Sequence, residues 1–164
     1  MSYFLTIATS LVLFASSFPA FQGLAPKPGA IQHVTIVATA DPNPAAPRGK
    51  VTLALDVTPD PKVHVYAPGA KDYVQTTLKI TPPARTTAGK PTYPPSELVY
   101  DVVLDAKIPQ YLKTFRILQP IALGSAVKPG ERVDVSGVLT YQACDDRMCF
   151  PPTSAAVSWT VNVR

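Results

Sequence analysis

Strict alternation of apolar and polar residues is the pattern that most limits how this chain can fold. Residues 50–58 place Val51, Leu53, Leu55 and Val57 on one face of an extended segment, as in a strand with one buried face. The same alternation returns in two later segments, 73–81 and 156–163. No segment shows the 3.6-residue period of an amphipathic helix. The pattern therefore predicts an all-β chain.

Prolines separate the apolar runs. The chain has 19 prolines in 164 residues, well above the ~5% of average usage, and most of them stand between the runs. Because proline cannot donate to a strand ladder, these positions indicate turns and loops. The expected strands are residues 31–39, 50–58, 63–66, 73–81, 97–104, 114–123, 132–142 and 156–163. About eight or nine short strands predict a single-domain, immunoglobulin-like antiparallel β-sandwich.

The first residues favour export. Residues 3–21 are apolar and uncharged, and small residues stand where cleavage after Ser17 or Ala25 would fall. The alternative is an uncleaved membrane anchor, but the run is shorter than the ~20 residues that comfortably span a bilayer. We predict a signal peptide at 1–25, a Pro-rich leader at 26–30 and one domain at 31–164. The expected location is periplasmic or otherwise extracytoplasmic, in a bacterium, with no membrane span after cleavage.

The net charge of +4 comes from scattered Lys and Arg with Asp between them. No basic stripe forms, so we expect no nucleic-acid partner. The two histidines, His33 and His64, stand in separate segments without ligand spacing, so we expect no metal site and no cofactor.

Cys144 and Cys149 are the side chains of this sequence with the greatest scope for chemistry. They flank residues 145–148, a connection of ordinary hairpin length. Such a pair can close a disulfide and exchange electrons with another dithiol. A structural disulfide is the alternative, although a ring of about six residues restricts the unfolded chain by only roughly 2 kcal/mol. The residues alone leave the redox and structural interpretations about equally supported.

Neighbouring charges distinguish the two sulfurs. Cys144 is followed by Asp145 and Asp146, whose negative charge disfavours a thiolate, whereas Cys149 lies two residues beyond Arg147. This arrangement predicts Cys149 as the attacking sulfur and Cys144 as the resolving one.

The cysteine segment also resembles a known family. Leu-Thr-Tyr-Gln-Ala-Cys at 139–144 and Cys-Phe-Pro-Pro at 149–152 resemble the signature of the N-terminal periplasmic domain of the thiol:disulfide interchange protein DsbD. Residues 62–69 resemble an aromatic strand of that domain, and 93–100 resemble its cap-loop segment. The resemblance covers residues 31–164 and implies an immunoglobulin-like fold.

The resemblance implies a relay of reducing equivalents through Cys144 and Cys149, and so thiol:disulfide oxidoreductase activity. A thioredoxin-like protein or a membrane electron carrier would be the donor, and oxidised periplasmic proteins would be the acceptors. A cap loop would shield the pair until a partner docks. The implied cap and lining residues are Tyr93, Tyr66, Tyr141 and Phe150.

Two departures from the family pattern bear on the mechanism. The acidic residues before the cap aromatic are replaced here by Pro91 and Thr92, so acid–base assistance from that segment is not expected. The chain ends at Arg164, and we expect its electron donor to be another polypeptide. The alternative function is a non-catalytic binding module with a permanent hairpin disulfide.

Overall fold

The computed structural model describes residues 33–164, so the predicted signal peptide and leader lie outside the described residues. Within this range the secondary structure consists of strands, and no helix is long and apolar enough to cross a membrane. The strands are β1 (Val34–Asp41), β2 (Lys50–Pro59), β3 (His64–Tyr66), β4 (Thr77–Thr81), β5 (Thr86–Ala88), β6 (Glu97–Asp101), β7 (Ala106–Tyr111), β8 (Phe115–Leu123), β9 (Arg132–Tyr141), β10 (Ala143–Cys144) and β11 (Thr153–Asn162).

The strands form three antiparallel sheets, with the orders β1-β2-β8-β5, β11-β9-β4 and β10-β3-β7-β6. Strands of the first two sheets contribute to one apolar cluster, which we call the main core. Trp159 on β11 donates its indole N–H to the carbonyl of Ala54 on β2 at 2.9 Å, which ties one sheet to the other. The predicted immunoglobulin-like β-sandwich is confirmed.

The alternating strands supply the main core as the sequence predicts. Val51, Leu53, Leu55 and Val57 on β2 are each at most 1% exposed. On β11, Trp159 is 3% exposed, and its apolar neighbours on the same face are also buried. Period-2 patterning therefore locates the buried face of both strands correctly.

The strand predicted over 73–81 begins only at Thr77. The backbone before Thr77 makes hydrogen bonds outside the strand ladder. Val74 N–H donates to Gln142 Oε1 at 3.0 Å, and Thr76 N–H donates to Tyr66 O at 2.8 Å. These bonds turn the segment towards the cysteine region instead of continuing the ladder.

The strand predicted over 97–104 is shorter than expected and is followed by β7, which the sequence did not indicate. Pro109 interrupts the pattern of β7, yet it lies opposite Leu98 in the ladder. Its carbonyl accepts the Ala67 N–H at 2.9 Å. Strands β6 and β7 therefore form a hairpin turning at residues 102–105, which we call the tip hairpin.

The small third sheet carries the cysteines. On β10, Cys144 pairs with His64 of β3. A second apolar cluster forms here, which we call the disulfide cluster. Its buried members are Tyr66, Ala70, Ile108 and Cys144, with Tyr73 and Ala106 packed against them.

Candidate functional site

Cys144 and Cys149 form a disulfide with a Cα–Cα distance of 4.0 Å, and the two residues also form an antiparallel bridge. Asp145 organises the loop between them. Its Oδ1 accepts the backbone N–H groups of Arg147 and Met148, both at 2.8 Å. These two bonds, and then the charge of Arg147, lower the pKa of the Asp145 carboxyl. The predicted hairpin is present, and its turn holds its shape through its own hydrogen bonds.

The two cysteine residues differ sharply in exposure. Cys144 is 1% exposed and belongs to the disulfide cluster, whereas Cys149 is an exposed residue. A thiolate from outside can therefore reach Cys149 far more easily than Cys144.

A tyrosine hydroxyl lies beside both sulfurs. The oxygen of Tyr66 is 3.4 Å from Cys144 Sγ and 3.6 Å from Cys149 Sγ, and Tyr66 is only 2% exposed. Burial is the main cause of the raised pKa of Tyr66. The hydroxyl therefore stays protonated at physiological pH.

Tyr73 packs on Tyr66 and binds a carboxylate. Its ring stacks on Tyr66 with centroids 3.8 Å apart, and its hydroxyl donates to Asp101 Oδ2 at 2.7 Å. The other oxygen of Asp101 accepts the N–H groups of Val103 and Leu104 at 2.9 and 3.0 Å. The Tyr73 bond is the main cause of the lowered pKa of Asp101, so this group is a carboxylate at neutral pH.

An open groove of about 520 Å³ runs along the disulfide between the cysteine loop and the tip hairpin. We call it the disulfide groove. Several exposed apolar side chains line it: Val102 is 81% exposed, Val103 86% and Met148 56%. Apolar side chains this exposed and this close together are typical of interaction surfaces.

His64 also lines the disulfide groove. Burial lowers its pKa, against the opposing effects of Asp146, Asp145 and Asp101. Within residues 33–164, no three His, Cys, Asp or Glu side chains converge as a metal site.

The structure separates the aromatic residues that the family resemblance brought together. Tyr66 lines the disulfide groove. Tyr141 is 1% exposed in the main core. Phe150 stacks on His33, with centroids 3.6 Å apart, in a different depression that also borders the cysteine loop.

Tyr93 does not line the disulfide groove. Its hydroxyl accepts the N–H of Leu78 on β4 at 2.8 Å, and its ring packs against the main core. This placement differs from the shielding position expected for it, because the hydroxyl bond and the ring packing hold Tyr93 against other parts of the domain. The tip hairpin lies beside the disulfide instead.

Sequence reasoning missed Tyr73, Asp101 and the apolar tip of the hairpin. Tyr73 looked like the first residue of a strand, and nothing in its spacing links it to Asp101. A signal was available for the tip: Val102, Val103 and Leu104 form an apolar run where a turn normally carries polar residues.

Comparison with known proteins identifies relatives of the chain. The family model described as "Thiol:disulfide interchange protein DsbD, N-terminal" matches residues 34–160. No curated protein matches the chain.

Three solved structures are similar at low sequence identity. The DsbD N-terminal domain of Neisseria meningitidis in the reduced form is 19% identical, with a TM-score of 0.47, covering 67% of this chain and 77% of that one. The complex of the DsbD and PilB N-terminal domains from Neisseria meningitidis gives 19% identity and a TM-score of 0.46, covering 75% and 80%. The N-terminal periplasmic domain of ScsB from Proteus mirabilis gives 17% and 0.48, covering 77% of this chain and 46% of that one.

Proposed function

The chain belongs to the family of DsbD N-terminal domains, whose chemistry is thiol–disulfide interchange, and from this premise we propose that it is an exported domain that relays electrons through Cys144 and Cys149. Its donor is a thioredoxin-like protein or a membrane electron carrier. Its acceptors are oxidised proteins of the same compartment.

The observation that carries the proposal is the difference in exposure between the two cysteine residues of one disulfide. Cys149 is exposed while Cys144 is 1% exposed. A donor thiolate attacks Cys149 Sγ, the S–S bond breaks, and the electron pair passes to Cys144 Sγ. The donor's second thiol then attacks the donor sulfur of the mixed disulfide, so that two electrons have moved to this domain. In the reduced domain Cys149 attacks an acceptor disulfide, and Cys144 resolves the product.

The exposed walls of the disulfide groove support a protein partner rather than a small thiol. Val102 and Val103 on one side and Met148 on the other flank the disulfide. A docking protein that buries these side chains gains apolar contacts while its thiolate reaches Cys149.

Trapping tests the roles of the sulfurs. The probe is a thioredoxin whose second active-site cysteine is Ser and whose first carries a thionitrobenzoate leaving group. Reduced Cys144→Ala is expected to release thionitrobenzoate and accumulate a mixed disulfide, because Cys149 can attack and no second thiol resolves the product. The matched variant Cys149→Ala is expected to react slowly because its remaining thiol is buried. Equal trapping by the two variants would contradict the assignment.

The reduction potential separates the relay from a binding module with a permanent disulfide. Structural disulfides typically lie below about −300 mV, and we expect this pair above that value. Reduction is expected to lower the free energy of unfolding by only roughly 2 kcal/mol, because the ring is small. A potential well below that boundary, or unfolding on reduction, would favour the structural alternative.

A further inference from the structure

Reduction of the disulfide removes the covalent bond between Cys144 and Cys149, and the two thiols then depend on other contacts to stay together. Cys144 is held by the pairing of β10 with β3 and is 1% exposed. Cys149 is exposed and lies in the connection between β10 and β11. Its position in the reduced domain therefore depends on the residues that flank it.

Both neighbours of Cys149 are hydrogen-bonded to the opposite arm of the hairpin. On one side, Met148 O accepts the backbone N–H of Asp145 at 2.9 Å. On the other side, Phe150 N–H donates to Ala143 O at 2.9 Å. Neither bond involves a sulfur atom, so both can persist when the disulfide opens.

The Asp145 side chain closes the loop between the two arms. Its Oδ1 accepts the N–H groups of Arg147 and Met148, both at 2.8 Å, and an aspartate bonded in this way fixes a tight turn. The next residue, Asp146, is exposed, and within residues 33–164 its side chain makes no hydrogen bond. The two aspartates therefore carry the same charge, but only Asp145 shapes the loop.

We propose that Asp145 is a positioning residue that keeps Cys149 opposite Cys144 in the reduced domain and so sets the reduction potential of the pair. In the oxidised domain, the disulfide ring restricts the loop whether or not the Asp145 side chain is present. In the dithiol, only the hydrogen bonds restrict it. Loss of the Asp145 side chain therefore frees the loop mainly in the reduced state, and the conformational entropy gained there favours the dithiol.

The consequence for exchange, which rests on the proposed function, concerns the delivery of electrons to an acceptor. Once Cys149 has attacked the acceptor, the Cys144 thiolate forms a bond with Cys149 Sγ and the bond to the acceptor breaks. The electron pair leaves with the acceptor sulfur, which takes up a proton from water. A loop that keeps Cys149 opposite Cys144 favours this step, because the two reacting sulfurs are already close together.

The test is the equilibrium of each variant with a redox buffer of reduced and oxidised glutathione. Two glutathione thiols become one glutathione disulfide, while the Cys144–Cys149 bond takes up two electrons and two protons. Alkylation followed by mass spectrometry measures the reduced fraction. Asp145→Ala is expected to raise the equilibrium constant for reduction about tenfold, on the scale of one or two lost hydrogen bonds. A tenfold change raises the potential by about 30 mV.

Two further variants separate the hydrogen bonds from the charge. Asp145→Asn loses the charge but retains an oxygen for the Arg147 and Met148 N–H groups, whereas Asp146→Asn removes only the neighbouring charge. Each is expected to keep the equilibrium constant within about threefold of the wild-type value. A shift in Asp145→Asn as large as that in Asp145→Ala would overturn the proposal, as would an unchanged constant in Asp145→Ala.

The mobility of the loop checks the premise without a redox buffer. In the reduced wild-type domain, the ¹⁵N heteronuclear NOE values of Arg147 and Met148 are expected to match those along β9. They are expected to fall in reduced Asp145→Ala, while unchanged values along β9 show that the variant is folded. Asp145 lies outside both apolar clusters, so we expect the variant to fold. Low values in the reduced wild type would overturn the proposal.

The proposed function and this inference can fail separately. The absolute potential of the wild-type domain tests the relay, whereas the differences between variants test the role of Asp145.

Discussion

The main core and the disulfide cluster are built on different principles. Leu53, Leu55 and Ile117 in the main core are all 0% exposed and purely apolar. The disulfide cluster is small, lies under an open groove, and places the Tyr66 hydroxyl against the sulfurs. A polar contact of the main core, the Trp159 bond to Ala54, ties the two sheets together, whereas the polar group of the disulfide cluster lies beside the sulfurs. Stability is therefore concentrated in the first region and reactivity in the second.

The largest expected effect is in the main core. Leu55→Ala leaves a cavity between the sheets and is expected to lower the free energy of unfolding by about 2–5 kcal/mol. Urea unfolding followed by tryptophan fluorescence measures this, with Trp159 as the reporter. Val103→Ala, at a residue 86% exposed, is the control and is expected to change stability by less than about 0.5 kcal/mol. Similar losses in both variants would remove the distinction between the regions.

Tyr93 tests the distinction between the main core and the disulfide cluster, because the sequence predicted it for the site and the structure packs it against the main core. Tyr93→Ala removes a half-buried ring and the hydrogen bond to Leu78 N–H. It is expected to lower the free energy of unfolding by about 1–3 kcal/mol, with no change in the rate at which iodoacetamide alkylates reduced Cys149. Faster alkylation in a folded variant would instead support the shielding role that the family resemblance implies.

If the tip hairpin belongs to the reactive region, substitutions there should change reactivity and leave stability unchanged, which is the opposite of the result expected for Tyr93→Ala. Replacing Val102 and Val103 by Ser is expected to leave stability nearly unchanged, because both side chains are exposed. The rate of mixed-disulfide formation with thioredoxin should fall severalfold, because the docking surface loses apolar area. The rate with iodoacetamide should stay the same, since that reagent needs no docking. A fall in both rates would mean that the substitutions distort the disulfide itself.

The smallest expected effect comes from removing an ion pair on the outer face of the sandwich. Arg116 donates to both oxygens of Asp56 at 2.7 Å, and this bond lowers the pKa of Asp56. A carboxyl whose pKa is lowered on folding adds stability above its unfolded pKa, and that stability is lost as pH falls through the folded value. Asp56→Asn is therefore expected to lower the urea midpoint slightly at pH 7. The difference should shrink as pH falls below the ordinary Asp pKa of about 3.9 and vanish once Asp56 is also protonated in the folded protein. A difference that persists in acid would point to packing rather than charge.

Much of the main core could be predicted because strand alternation is a local pattern. The buried face of β2 and the position of Trp159 followed from period-2 spacing alone. Strand β7 could not be predicted, because Pro109 argues against a strand unless its carbonyl and its ladder position are known. The cysteine pair was visible as a short, specific segment, and the structure closes it into a disulfide.

The sequence by itself determined the fold class, the buried strand faces and the two sulfurs, since each depends on residues close together in the chain. Only the tertiary structure decided which cysteine is exposed and which aromatic residue contacts both sulfurs. Tyr66, Tyr73 and Asp101 come from three separate segments, and Cys144 comes from a fourth. Their meeting depends on how β10 docks on β3 and how the tip hairpin folds over them. Contacts between distant segments have no local period or spacing that a single sequence could display.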